Sequence, residues 1–145
     1  MSAKDESYII DLCDEVLRHK ASRQHRFPFL IGDAGTKLPV DAYYADLKLV
    51  IEYRERQHYE EVKFFDKPDK LTCSGVPRGK QRELYDQRRR DVLPIHGIRL
   101  IELPVTLFQH SARKRLRRNR LADEMIVRRE LAAISQLDLP VDVVG

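Results

Sequence analysis

The stretch from residue 27 to residue 57 constrains the fold most, because short apolar runs alternate there with turn residues: FPFLI, GDAGTK, LPVDAYY, ADLK and LVIEY. Runs of this length bounded by Gly and Asp read as three strands of a meander. Asp33 to Thr36 supplies a Gly-bearing turn between the first two strands, and Ala45-Asp46 marks the second tip. Leu49-Val50-Ile51 lacks polar alternation, which predicts a central strand covered on both faces. Before the meander, Ile9, Leu12, Cys13, Val16 and Leu17 recur at helical spacing and predict an amphipathic helix over 5–21.

After the meander, residues 59–79 have no sustained period and contain Pro68, Gly75, Pro77 and Gly79, so a long surface loop is expected. The run QRELYDQRRRDVL then predicts a helix with Leu84 and Val92 facing inward, stopping at Pro94 and Gly97. IRLIELPVTLF reads as a buried strand interrupted at Pro104, and a last helix is expected from Ser111, as N-cap, to Leu137. The order α-β-β-β-loop-α-β-α implies an α/β fold, a mixed sheet flanked by helices.

At 145 residues the chain is expected to form one domain, with a core over 1–110 and a basic helix and tail over 111–145 packed on it or extending it. With 42% hydrophobic residues it can fill a core without disulfides or a structural metal, and its two cysteines form no CxxC pair. No apolar run approaches the ~20 residues of a membrane span, and the first residues do not read as a leader. A soluble, cytoplasmic protein is expected. The formal charge of +4 is unevenly placed: residues 111–129 carry eight basic and two acidic residues, and the remainder carries nineteen basic and twenty-one acidic. A basic segment on a slightly acidic body suggests a polyanion partner, the alternative being a solvated helix face or a partner helix.

The chemistry concentrates in LPVDAYYADLKLVIEYRERQH. A hairpin turning at Ala45-Asp46-Leu47 places Asp41 opposite Glu52, and like charges so placed repel. A divalent cation bound by the two carboxylates is the simplest remedy; the alternative is a shifted register that turns one of them to solvent. His58, just beyond the strand, has the residue type for a general base or a metal ligand.

Taken together, VDAYYADLKLVIEYRERQH and RELYDQRRRDVLPIHGIRLIEL resemble the small nucleases of the restriction-endonuclease-like superfamily, in the branch related to very-short-patch-repair endonucleases. The ordered set Asp41, Glu52, Gln57-His58, Tyr85-Asp86 and Gly97 carries the resemblance, which spans about residues 27–108. It implies a metal-dependent endonuclease acting on DNA, with Mg²⁺ or Mn²⁺ at Asp41, Glu52 and His58. It also implies an acid in the first helix, Asp14 or Glu15, and another in the helix after the loop, Asp86.

One departure touches mechanism. Where the superfamily places a lysine two positions after the strand acid, this chain has Arg54, whose guanidinium holds its proton too tightly to act as a base although it can still stabilise phosphate. Arg56, Arg78, Lys80, Arg113, Lys114, Arg115, Arg117 and Arg118 are expected to contact the nucleic-acid backbone, as are Arg82, Arg88, Arg89 and Arg90 where they are not simply solvated. Tyr59, Phe64 and Phe65 offer rings to stack on a base or to cap the core. A homodimer would permit double-strand cleavage. The rival reading is a nucleic-acid-binding module on the same fold whose active site no longer works.

Overall fold

The computed structural model describes residues 2–55, 78–113 and 115–134. Helix α1 (Ser2–Leu17) buries Ile9, Ile10, Leu12, Cys13, Val16 and Leu17, the face that the sequence spacing sets apart. Strands β1 (Ser22–Ile31), β2 (Lys37–Tyr44) and β3 (Leu49–Arg54) form the expected antiparallel meander. At the first turn, Gly35 has φ 85°, a left-handed conformation that a side chain would strain, and its N–H donates to Gly32 O at 3.0 Å. The second turn is a short 3₁₀ segment, Ala45–Leu47, closed by Lys48 at φ 50°.

Helix α2 (Arg78–Ile95) carries Pro94 in its last turn and gives way to Gly97 at φ 74°. Strand β4 (Arg99–Pro104) then runs parallel to β3 along its whole length, from Leu49 opposite Arg99 to Arg54 opposite Pro104. The sheet order is β1-β2-β3-β4, so β3 is interior, and its first five residues are buried. The result is a mixed α/β fold. One expectation fails on α2: Val92 packs against the core, but Leu84 is 39% exposed.

The C-terminal segment also differs from its expected form. Helix α3 (Arg120–Glu130) starts nine residues later than Ser111, and Asn119 is its N-cap, accepting the Ala122 N–H at 3.1 Å. His110 instead bridges antiparallel to Leu116, beyond a turn at residues 112–113. Ser111 does accept backbone N–H groups, from Arg113 and Arg115, but as the clasp of that turn. Val127, Leu131 and Ile134 belong to the same apolar cluster as α1, so α3 is part of the core.

The two faces of the sheet hold separate clusters. Ala42, Tyr44, Leu49, Ile51, Tyr53 and Leu103 pack with α1 and α3, whereas Leu38, Val40, Val50, Phe27 and Ile98 pack with Leu93 of α2. Strict alternation would keep Leu38, Val40, Ala42 and Tyr44 on one face. They divide between Val40 and Ala42, at the position of Asp41. On β1, Gln24 lies between two residues paired across from Ala42 and Val40, and it takes a left-handed φ of 50°. The left-handed residue of β1 therefore lies across from the place where β2 changes face.

Candidate active site

Strands β2 and β3 pair from Tyr44 opposite Leu49 to Ala42 opposite Ile51. Beyond that point β2 stays with β1 and β3 stays with β4, and the two separate. Backbone groups at the fork need other partners, and the two carboxylates supply them: Glu52 Oε2 accepts the Asp41 N–H at 2.5 Å, and Asp41 Oδ2 accepts the Tyr53 N–H at 2.8 Å. The hairpin register thus brings Asp41 and Glu52 together as expected, each as a cap on the opposite strand.

The first-helix acid at this fork is Glu6. The Gln24 amide donates to Glu6 Oε2 at 2.8 Å and to Asp41 Oδ1 at 3.4 Å, which brings the two carboxyls to one donor. Glu15, expected here, is nine residues further along α1, roughly 13 Å up the axis, and pairs with Arg120. Asp14, the other expected acid, accepts the Tyr44 hydroxyl at 2.6 Å and pairs with Arg23 at 2.8 Å. The sequence signals neither Glu6 nor Gln24, because the choice among several helix acids depends on how α1 docks.

Burial pushes the carboxyls upward in pKa. Glu6 is raised to about 7 by burial and then by the charge of Asp41. Glu52 is raised to about 7 by the same two causes, against the pull of Arg54 and Arg89. Asp41 is also raised, chiefly by burial, while the Tyr53 N–H and Arg54 act to lower it.

Arg54 is 11% exposed and meets three carboxylates: Nη1 lies 2.9 Å from Glu52 Oε1, Nη2 3.1 Å from Asp86 Oδ1, and Nε 3.2 Å from Glu102 Oε1. Arg89 reaches Asp86 at 2.9 Å and donates twice to the Pro39 carbonyl. Arg90 grips Glu102 through two bonds, at 2.7 and 2.9 Å, which with Arg54 holds that carboxyl below the usual range. Asp86 therefore stands behind the fork, between two guanidiniums, and positions them. Tyr85, beside it, accepts the Asp33 N–H at 2.9 Å and pins the β1–β2 turn to α2.

The expected backbone contacts separate into groups. Arg88 pairs with Asp33 at 3.0 Å, and Lys80 lies 3.9 Å from Glu83. Arg78 and Lys80 are exposed at the start of α2, and Arg113, Arg115 and Arg117 are exposed on the turn. Arg118 is already engaged, on Asp5 at 3.0 Å and over the Tyr8 ring at 4.5 Å. Arg56, His58, Tyr59, Phe64, Phe65 and Lys114 lie outside the described residues.

An all-oxygen donor set suits a hard cation such as Mg²⁺, which takes one or two carboxylates and keeps several waters. Both Glu52 oxygens are engaged, by Arg54 and by the Asp41 N–H. The Glu6 and Asp41 carboxyls, brought to one Gln24 amide and both raised in pKa chiefly by burial, are the better fit, since a cation there would offset their mutual repulsion. Among the described residues, no group of three or more His, Cys, Asp and Glu side chains is arranged to hold a metal. Nor is any helix among them long and apolar enough to cross a membrane.

No family model and no solved structure matches the chain. It is similar to the uncharacterized protein 094L of Frog virus 3 (isolate Goorha), with 34% identity over 93 residues, which is 64% of this chain and 52% of that protein. The chain thus spans about half the length of the curated relative it matches.

Proposed function

We propose that this chain is a Mg²⁺- or Mn²⁺-dependent endonuclease that hydrolyses phosphodiester bonds, of DNA in preference to RNA. The observation that carries the reading is the fork between β2 and β3, where the Gln24 amide reaches both the Glu6 and the Asp41 carboxyl while Glu52 holds the Asp41 backbone. This supports the role that the family resemblance implies for Asp41, and it turns Glu52 from the metal ligand that the resemblance implies into a support for the Asp41 main chain. Asp41 and Glu6 would hold the cation, which when bound polarises the phosphate and acidifies a coordinated water. Glu52 fixes the Asp41 main chain and is itself fixed by Arg54. Arg54 cannot accept a proton at working pH, so that duty would pass to His58, Glu55 or a metal-bound water.

A second reading, a nucleic-acid-binding module without catalysis, draws on one observation: Arg54 already neutralises Glu52 from within the fold. Nicking of supercoiled plasmid in Mg²⁺ or Mn²⁺ separates the two. Wild type should nick, and Asp41→Ala should lose more than about 100-fold, since removing a ligand costs more than removing its support. Equal cleavage by both proteins overturns the site assignment. Binding without cleavage by wild type selects the second reading.

A further inference from the structure

The basic segment over residues 111–129 divides into two kinds of arginine. Arg118, Arg120, Arg128 and Arg129 each pair with a carboxylate of this chain: Asp5, Glu15, Glu124 and Glu130. Arg113, Arg115 and Arg117 are exposed and have no acidic partner among the described residues. The turn that carries them is built without using their side chains. Ser111 N–H donates to Arg115 O at 2.8 Å, Arg117 N–H donates to Gln109 O at 2.7 Å, and Ser111 Oγ accepts the N–H groups of Arg113 and Arg115 at 3.2 Å each. Leu116 turns inward to the core.

The position of the turn is also fixed. Arg118, at its end, donates to the Lys4 carbonyl and to Asp5, both at 3.0 Å, so the segment is tethered to the first turn of α1 one residue from Glu6. Glu6, the next residue of α1, shares the Gln24 amide with Asp41. Turn and fork therefore share one end of the sheet.

We propose that the turn from Ser111 to Arg118 is a binding surface for a nucleic-acid backbone, on which Arg113, Arg115 and Arg117 hold phosphates beside the Glu6–Asp41 pair. Guanidinium forks match phosphate oxygens in pairs. The turn presents no exposed apolar side chain beyond Ala112, so it lacks the means to enter a lipid surface. Contacts to phosphate do not depend on sequence, so the surface selects for backbone and leaves base choice open. The inference deepens the proposed function and rests on it for what is cut; the surface itself does not require a working active site.

The test measures duplex DNA binding by the full chain carrying Asp41→Ala, without divalent metal, across about 50–200 mM salt. Replacing Arg113, Arg115 and Arg117 together by Gln should weaken binding about tenfold or more and flatten the log–log salt slope by about 2–3. The corresponding triple Lys variant should keep the slope, and both should melt as the parent does. A Gln variant with unchanged affinity and slope overturns the proposal, as does a parent that binds no DNA, or that binds phosphatidylserine vesicles in its place. Wild type that cuts nothing while this binding pattern holds removes the nuclease reading alone.

Discussion

The two faces of the sheet are built from different materials. The face under α1 and α3 is a continuous apolar cluster that runs from Ile9 to Ile134. The face under α2 has a smaller cluster, which yields near the fork to Arg54, Arg89, Glu52 and Asp86, all 3–12% exposed in their side chains. Buried ion pairs recover their desolvation cost only partly, and apolar residues of similar size often stabilise a fold as well or better. The contrast teaches that the first face supplies stability and that the second gives some up to hold charged groups in fixed places.

Three experiments can break or sharpen that contrast. The largest effect belongs to the apolar face: Leu12→Ala should cost about 2–5 kcal/mol in denaturant unfolding, and any DNA binding should fall only as the folded fraction falls. On the other face, Asp86→Ala should cost about 2 kcal/mol, because Arg54 and Arg89 each lose a charged partner while Glu52, Glu102 and Pro39 remain to them. Cleavage by that variant should fall more than its stability explains. A variant that is merely less stable would show that the network serves packing.

The smallest effect is a pH dependence. Between pH 4.5 and about 7 the folded chain keeps protons on Glu6 and Glu52 that the unfolded chain has released. Their contribution to stability is therefore full below 4.5 and is lost as pH rises through about 7. Glu102, held low by Arg90, acts in the opposite sense, and its contribution is lost as pH falls through its folded value. The melting temperature should drop from about pH 5.5 to about pH 7.5, and Glu52→Gln should flatten the drop. Mn²⁺ should raise it more at the higher pH, where the carboxyls are free of protons. An equal effect at both values would count against a cation at Glu6 and Asp41.

Much of the sheet was legible in the sequence, because turn chemistry and strand texture agreed. The tip at Ala45-Asp46-Leu47 fixed the pairing of Ala42 with Ile51, and the next step brought Asp41 to Glu52. Less could be read where the outcome depends on docking. Asp5, Glu6, Asp11, Asp14 and Glu15 all lie on one helix, and only the packing of α1 selects Glu6 for the fork. The left-handed Gln24 leaves no mark on sequence texture, since glutamine carries no turn preference. Residues 111–119 were read as helix because arginine is a good helix former and neither Gly nor Pro interrupts them, yet Asn119 begins the helix and Ser111 clasps a turn.

The exchange of caps at the fork bears on how such a chain can vary over time. Asp41 and Glu52 each complete the main-chain bonding of the neighbouring strand, so a lineage cannot discard either without also loosening the sheet. Selection for folding alone is enough to retain both residues. Finding both acids in a related chain would therefore be a sign of shared architecture, and a sign of shared phosphate binding would have to be sought in residues with no structural duty, such as Arg113, Arg115 and Arg117.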